Sequence, residues 1–155
     1  MSESDINEVY RINKSSFTTD AWSRDAIERE FKLPYSVRFV LESDGKVIGY
    51  CVIWLIKGEA FIMSIAIERN LRGRGLGRYF MEKIIDDLRN RAQTFLLDVR
   101  KSNLPAIRLY RSLGFSIVKE RKKFYSDGEN ALLMELRIDR IKENEDKGKT
   151  AEAFN

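Results

Sequence analysis

The sequence predicts one α/β (α+β) domain in which a single layer of sheet is covered by helices. Three observations predict it. The chain has 155 residues, 43% of them hydrophobic, which is enough for one ordered core without covalent staples. Helical and extended apolar patterns follow one another in the order ααβββαβαββ. The first three extended stretches are nearly continuous apolar runs, which need cover on both faces of a sheet.

Each element has its own local reason. Ser4 or Asp5 can cap a first helix whose apolar face carries Ile6, Val9, Tyr10 and Ile12. Ser23 can cap a second, with Ala26, Ile27, Glu30 and Phe31, ended by Leu33 and Pro34. Residues 37–42 read as a strand. Asp44-Gly45 centres a hairpin turn, and 47–56 is the return strand. Lys57-Gly58 turns again into a third strand, 60–67. A basic, glycine-rich loop, 69–75, leads into a helix over 76–91 that points Phe80, Ile84, Ile85 and Leu88 inward. Residues 95–99 form a strand. Residues 103–113 form a helix with Asn103 as cap, Pro105 in the first turn and Gly114 after the end. Strands 115–118 and 131–136 close the fold, with Asp127-Gly128 in the loop between them. The domain is expected to span 1–137. A tail rich in Lys, Glu, Asp and Asn, 138–155, is expected to be solvated.

Composition excludes several chemistries. There is no histidine, so histidine-based triads and histidine metal sites are ruled out. One cysteine, Cys51, sits in an apolar run and reads as a small buried hydrophobe. A base must then be a carboxylate, a tyrosine, a lysine or a relayed water. No apolar stretch reaches the roughly 18 to 20 residues of a membrane span, and the N-terminus is polar and acidic. A soluble cytoplasmic protein is expected. The net charge of +4 suits an anionic ligand without requiring one.

Two segments carry chemistry. In the first, Arg72-Gly73-Arg74-Gly75-Leu76-Gly77-Arg78 joins a strand to a helix. Glycines let the backbone approach a ligand, and the helix start offers free N–H groups and partial positive charge, so the loop suits a phosphate or pyrophosphate. The spacing fits neither a dinucleotide-binding fingerprint nor a P-loop. A basic loop that merely caps a helix accounts for the same residues. In the second segment, Asp98 ends a strand while Asn103 and Tyr110 lie seven apart on one helix face. A carboxylate, an amide and a phenol can converge beside the loop. A core tyrosine and a simple cap would look the same.

Together the two segments resemble the GNAT superfamily of N-acetyltransferases. The likeness rests on Arg72-x-x-Gly75-x-Gly77 paired with Asn103, then Ala106-Ile107-x-Leu109-Tyr110-x-x-Leu113-Gly114-Phe115, and covers roughly residues 5–137. Residues 123–131, Lys-Phe-Tyr-Ser-Asp-Gly-Glu-Asn-Ala, resemble a stretch of the ribosomal-protein alanine acetyltransferases and their archaeal and eukaryotic N-terminal acetyltransferase relatives. The resemblance implies a mixed, mostly antiparallel sheet flanked by helices, with the first edge strand missing or very short. It implies acetyl-CoA as cosubstrate, no metal, and transfer of acetyl to an amine. Protein or peptide N-termini, ribosomal proteins among them, are the expected acceptors, with no membrane and no specific nucleic-acid partner. Carried over by position, the backbone of Ile65, Ala66 and Ile67 would hold the pantetheine arm. Arg72, Gly73, Arg74, Gly75, Leu76, Gly77 and Arg78 would form the pyrophosphate loop. Asn103 would touch the cosubstrate between two strands, and Tyr110 would lie near the thioester sulfur. Tyr35, Phe124 and Tyr125 would grip the acceptor peptide.

The chain departs from that pattern. Relatives carry Glu or His where this chain has Asp98, and some carry tyrosine where it has Phe61. The subfamily's Leu-Pro-Glu-Asn-Tyr loop is here Leu33-Pro34-Tyr35, without its acid. Tyr110 is the candidate general acid and Asp98 the candidate base. A base this weak favours α-amines, because neutralising a lysine amine at pH 7 costs about 3 to 4 kcal/mol more. Two other functions fit the cofactor loop: acetylation of small-molecule amines, and an RNA- or ribosome-binding module built on Arg69, Arg72, Arg74 and Arg78.

Overall fold

The structure, a computed structural model, describes residues 1–17 and 19–138. The expected tail, 138–155, lies outside the described residues apart from Ile138. The order is α1 (Ile6–Ser16), α2 (Arg24–Glu30), β1 (Ser36–Ser43), β2 (Lys46–Ile56), β3 (Glu59–Ile67), α3 (Leu76–Leu88), β4 (Thr94–Arg100), α4 (Leu104–Ser112), β5 (Ser116–Arg121) and β6 (Ala131–Arg137). The predicted ααβββαβαββ sequence of elements is the one observed. Among the described residues no strand precedes α1.

The six strands form one sheet in the order β1-β2-β3-β4-β6-β5. Only β3 and β4 run parallel, and every other neighbouring pair is antiparallel. Both faces are covered, as the apolar runs required. On one face α1 and α2 bury Ile6, Val9, Ile12 and Ile27 against Val47, Tyr50, Val52 and Ala66. On the other, α3 and α4 bury Phe80, Ile84, Leu88 and Ile107 against Cys51, Ile53, Phe95 and Leu97. Cys51 is fully buried, and burial pushes its thiol far above the usual range, so it stays protonated.

Local chemistry sets the element ends. Asp44 and Gly45 both take positive φ, 50° and 76°, as a two-residue hairpin requires. Ser23 caps α2 by accepting from the Ala26 amide at 3.1 Å. Two expectations shift. The expected cap at Ser4 or Asp5 is absent, because helical turns begin earlier, with a 3₁₀ turn over Glu3–Asp5. The Asp5 carboxylate instead accepts from the Ser2 amide at 2.7 Å. The third helix stops at Leu88 and not at 91. The Ala92 amide folds back onto the Leu88 carbonyl, and the Gln93 amide bonds to Gly58, which draws the chain into β4. No helix among the described residues is long and apolar enough to cross a membrane.

Candidate active site

The site grows from a failure of strand pairing. β3 and β4 pair only from Glu59–Thr94 to Ile62–Leu97. At that point the β2–β3 register skips Met63, pairing Ile53 with Ile62 but Val52 with Ser64. An extra residue in one strand bends it and raises its twist. Beyond the bulge β3 stays with β2 as far as Ile67, while β4 stays with β6 as far as Arg100. A gap opens between them and runs from one side of the sheet to the other.

The gap exposes backbone. The Glu68 amide donates to Ile48 of β2 at 2.7 Å. Antiparallel alternation therefore turns the backbone groups of Ile65 and Ile67 toward the gap and those of Ala66 toward β2. Arg72 Nε occupies the Ile67 carbonyl at 3.1 Å, which leaves Ile65 with a free edge. Ala66 lines the cavity without offering its backbone.

On one side of the gap lies a cavity of about 610 Å³ lined by the glycine loop. Of the residues assigned to acetyl-CoA by resemblance, every one except Arg74 lines it. Gly73 and Gly75 both have φ of 79°, the left-handed region, and an added β-carbon at either would meet no atom within 4 Å. Backbone conformation, not crowding, selects glycine there. Gly77 differs: a β-carbon would sit 3.3 Å from Leu109 Cδ2, so this glycine lets α3 and α4 approach. The first helix bond of α3 runs from Tyr79 to the Gly75 carbonyl at 3.0 Å. Amides ahead of it lie outside the helix ladder and are available to an anion.

The loop arginines are partly committed. Arg72 Nη2 also donates to Ser16 Oγ at 2.8 Å, tying the loop to the end of α1. Partial desolvation lowers its pKa, with the nearby Arg69 charge adding to the effect. Arg78 bonds Glu82 at 2.9 Å and Ser112 at 2.8 Å. Asn103 caps α4 by accepting from the Ala106 amide at 3.3 Å, and it borders both cavities.

On the other side is a cavity of about 510 Å³ with aromatic walls. Tyr110 lines both cavities and so stands where they meet. Its ring is buried against Phe115, with centroids 5.7 Å apart. Among the described residues its hydroxyl has no hydrogen-bond partner. Burial pushes the phenol well above its usual range, so it carries its proton at neutral pH. Asp98, Phe124 and Tyr125 line the same cavity. Asp98 Oδ1 accepts from Arg121 Nε at 3.0 Å. Burial, and then the Asp98 charge, push the Tyr125 phenol up to about 12.

Tyr35 is not brought to this cavity. It packs edge-on against Trp54, centroids 5.3 Å apart, near the far end of β2. This cavity also contains residues that motif reading passed over: Phe17, Asp20 and Trp22 before α2, Ser64 on β3, and Arg100 at the end of β4. Ser64 belongs to a buried chain in which Asn13 Nδ2 donates to Tyr50 Oη at 2.6 Å and Tyr50 Oη meets Ser64 Oγ at 2.7 Å. Asn13 Oδ1 accepts from the Trp22 amide at 2.7 Å, which places that loop. A polar residue inside the run 60–67 could have flagged Ser64. The two-residue spacing of Asp98 and Arg100 on one strand face could have flagged Arg100.

Comparison with known proteins agrees with this geometry. The model of the acetyltransferase (GNAT) family matches residues 6–115. A Bacillus subtilis (strain 168) protein named for N-acetylation of the alanine of ribosomal protein bS18 is 39% identical over 137 residues, 86% of this chain and 90% of that protein. An N-alpha-acetyltransferase of Sulfurisphaera tokodaii is 32% identical over 148 residues, 84% of this chain and 86% of the other. The crystal structure of the ribosomal-protein-S18-alanine N-acetyltransferase from Escherichia coli superposes with a TM-score of 0.81 at 32% identity, covering 89% of this chain and 90% of that one.

Proposed function

The chain belongs to the acetyltransferase (GNAT) family, and on that premise we propose that it transfers acetyl from acetyl-CoA to the N-terminal α-amine of proteins, ribosomal proteins among them. The observation that carries the reading is the position of Tyr110, whose side chain lines both the glycine-loop cavity and the aromatic cavity. A donor held in one and an amine held in the other meet at its hydroxyl. The relatives named for bS18 alanine and for N-alpha acetylation support the choice of acceptor.

The glycine-loop cavity fits acetyl-CoA. The Gly73 and Gly75 backbone leaves open space, the first α3 amides are free, and Ile65 offers an unpaired strand edge. Bound there, acetyl-CoA would supply the acetyl group as an activated thioester. The amides of residues 73–78 would hold its pyrophosphate. Arg72 shapes the loop through Nε and Nη2, which bond Ile67 and Ser16, and its remaining N–H groups would face the ligand. Tyr110, protonated in its buried setting, would return a proton to the leaving thiolate. Asp98 would draw the proton from the amine through water. Most of the rate would come from positioning amine against thioester.

The RNA-binding alternative loses ground, since two of its arginines, Arg72 and Arg78, are bonded within the protein. The acceptor reading is tested with paired peptides, each holding one lysine, with a free or a blocked N-terminus. Mass spectrometry after incubation with acetyl-CoA should find acetyl on the free α-amine alone. Equal labelling of both forms would refute it.

A further inference from the structure

Arg100 closes β4 at the mouth of the aromatic cavity and belongs to no recognised motif. Its Nη1 donates to both carboxylate oxygens of Asp127, at 3.0 and 2.8 Å, and to Glu129 Oε1 at 3.0 Å. Its Nη2 donates to Asp20 Oδ2 at 2.7 Å and to Thr19 Oγ1 at 3.1 Å. Its guanidinium carbon lies 4.1 Å from the centroid of the Tyr125 ring. The arginine thus joins two loops that are remote in sequence: the one before α2, 80 residues away, and the one between β5 and β6, 27 residues away. A weaker tie runs beside it, from the Ser126 amide to Asp20 Oδ1 at 3.4 Å.

These two loops are the walls of the acceptor cavity. Asp20 and Trp22 stand on one and Phe124 and Tyr125 on the other. A planar fork with several charge-assisted bonds fixes geometry as well as proximity, and a side chain only 25% exposed is screened less than a surface ion pair. Asp20, Asp127 and Glu129 surround one guanidinium, so carboxylates from both loops are held around a single cation.

We infer that Arg100 is a positioning residue for the acceptor: it locks the two mouth loops together, so that the walls that take the first residues of a peptide are formed before the peptide arrives. This deepens the α-amine reading and rests on it. A preformed mouth spares the ordering cost of two loops at each binding event. Lysine cannot substitute fully, because a point charge lacks both the fork and the flat face that stacks on Tyr125.

Hydrogen–deuterium exchange and steady-state kinetics on the full chain test the inference. In R100Q the amides of residues 19–23 and 122–130 should exchange at least tenfold faster, with α3 and its acetyl-CoA-induced rise in melting temperature unchanged. The KM for an acceptor peptide should rise tenfold or more, while kcat at saturating peptide stays within about threefold. R100K should recover only part of that KM. Where R100Q does not fold, the double variant D127A/E129A removes the bonds of Arg100 to the β5–β6 loop and should speed exchange in residues 122–130 and raise the peptide KM in the same way. Unchanged loop exchange, or faster exchange with an unchanged peptide KM, would overturn the inference. A native enzyme that binds acetyl-CoA but acetylates no peptide would instead overturn the acceptor reading, and the exchange measurement would still decide the role of Arg100 in joining the loops.

Discussion

Asp98 and Arg121 form an ion pair, with Nε 3.0 Å from Oδ1, that spans β6 from β4 to the end of β5 beside the aromatic cavity. The carboxylate that sequence comparison offers as a base already has a cationic partner. Asp98→Asn should cost less than tenfold in kcat/KM at pH 8, where a peptide α-amine is already largely neutral. It should cost more below pH 7, where the α-amine is mainly protonated and needs help. A pH–rate profile of the variant parallel to the native one would remove Asp98 from proton transfer.

Tyr110→Phe should lower kcat by roughly 10²-fold or more, with little change in acetyl-CoA affinity. Deleting the hydroxyl leaves no buried partner unpaired, since it has none among the described residues, and the ring still packs on Phe115. The variant should therefore melt close to the native protein. Near-normal kcat, measured where chemistry limits the rate, would make water the proton source.

Acetyl-CoA should stabilise the fold by about 2.7 kcal/mol at one hundred times its dissociation constant. Gly75→Val should abolish that shift in thermal melts. Its φ of 79° is strained for a β-branched residue, so the substitution should distort the loop backbone that lines the cavity. A full ligand-induced shift in Gly75→Val would show that the loop does not hold the ligand.

Acid should unfold the protein through specific carboxylates. Hydrogen bonds from Arg11 hold Glu68 below its usual range, and hydrogen bonds from Ser126 and Thr19, with the charge of Arg100, do the same for Asp20. Depressed values mean that the unfolded chain takes up protons first as pH falls. The stability these groups give is complete above the ordinary carboxylate values of about 4 and is lost as pH drops through the lower folded ones. The melting temperature should decline below about pH 4. Glu68→Gln should melt lower at pH 7 and show a shallower acid decline; an unchanged decline would remove Glu68 from the acid response.

Several parts of this molecule were legible in the chain. The order of elements, the Asp44-Gly45 hairpin, the Ser23 and Asn103 caps and the left-handed glycines of the loop are set by contacts within a few residues, so local spacing reports them. The placing of Tyr110 beside that loop was also legible, because a seven-residue interval on a helix fixes a face. Tyr35 was assigned to the acceptor side by resemblance, yet it packs on Trp54 away from the cavity.

What only the tertiary structure decided is which charges and hydroxyls meet. Arg100 reaches Asp20 across 80 residues, Arg72 reaches Ser16 across 56, and Tyr50 joins Asn13 to Ser64 inside the core. No period or motif encodes such partners, because side-chain ion pairs and buried hydrogen bonds depend on how separate elements pack. The gap itself has the same origin: a one-residue bulge at Met63, set by the register of β2 against β3, parts two strands that local sequence would leave side by side. The sequence by itself determined a basic glycine loop at a helix start and a helix that carries Asn103 and Tyr110 on one face, because both rest on local spacing. Long-range packing decided that Tyr110 and Asn103 line two cavities, one of them walled by the loop, because that depends on how separate elements meet.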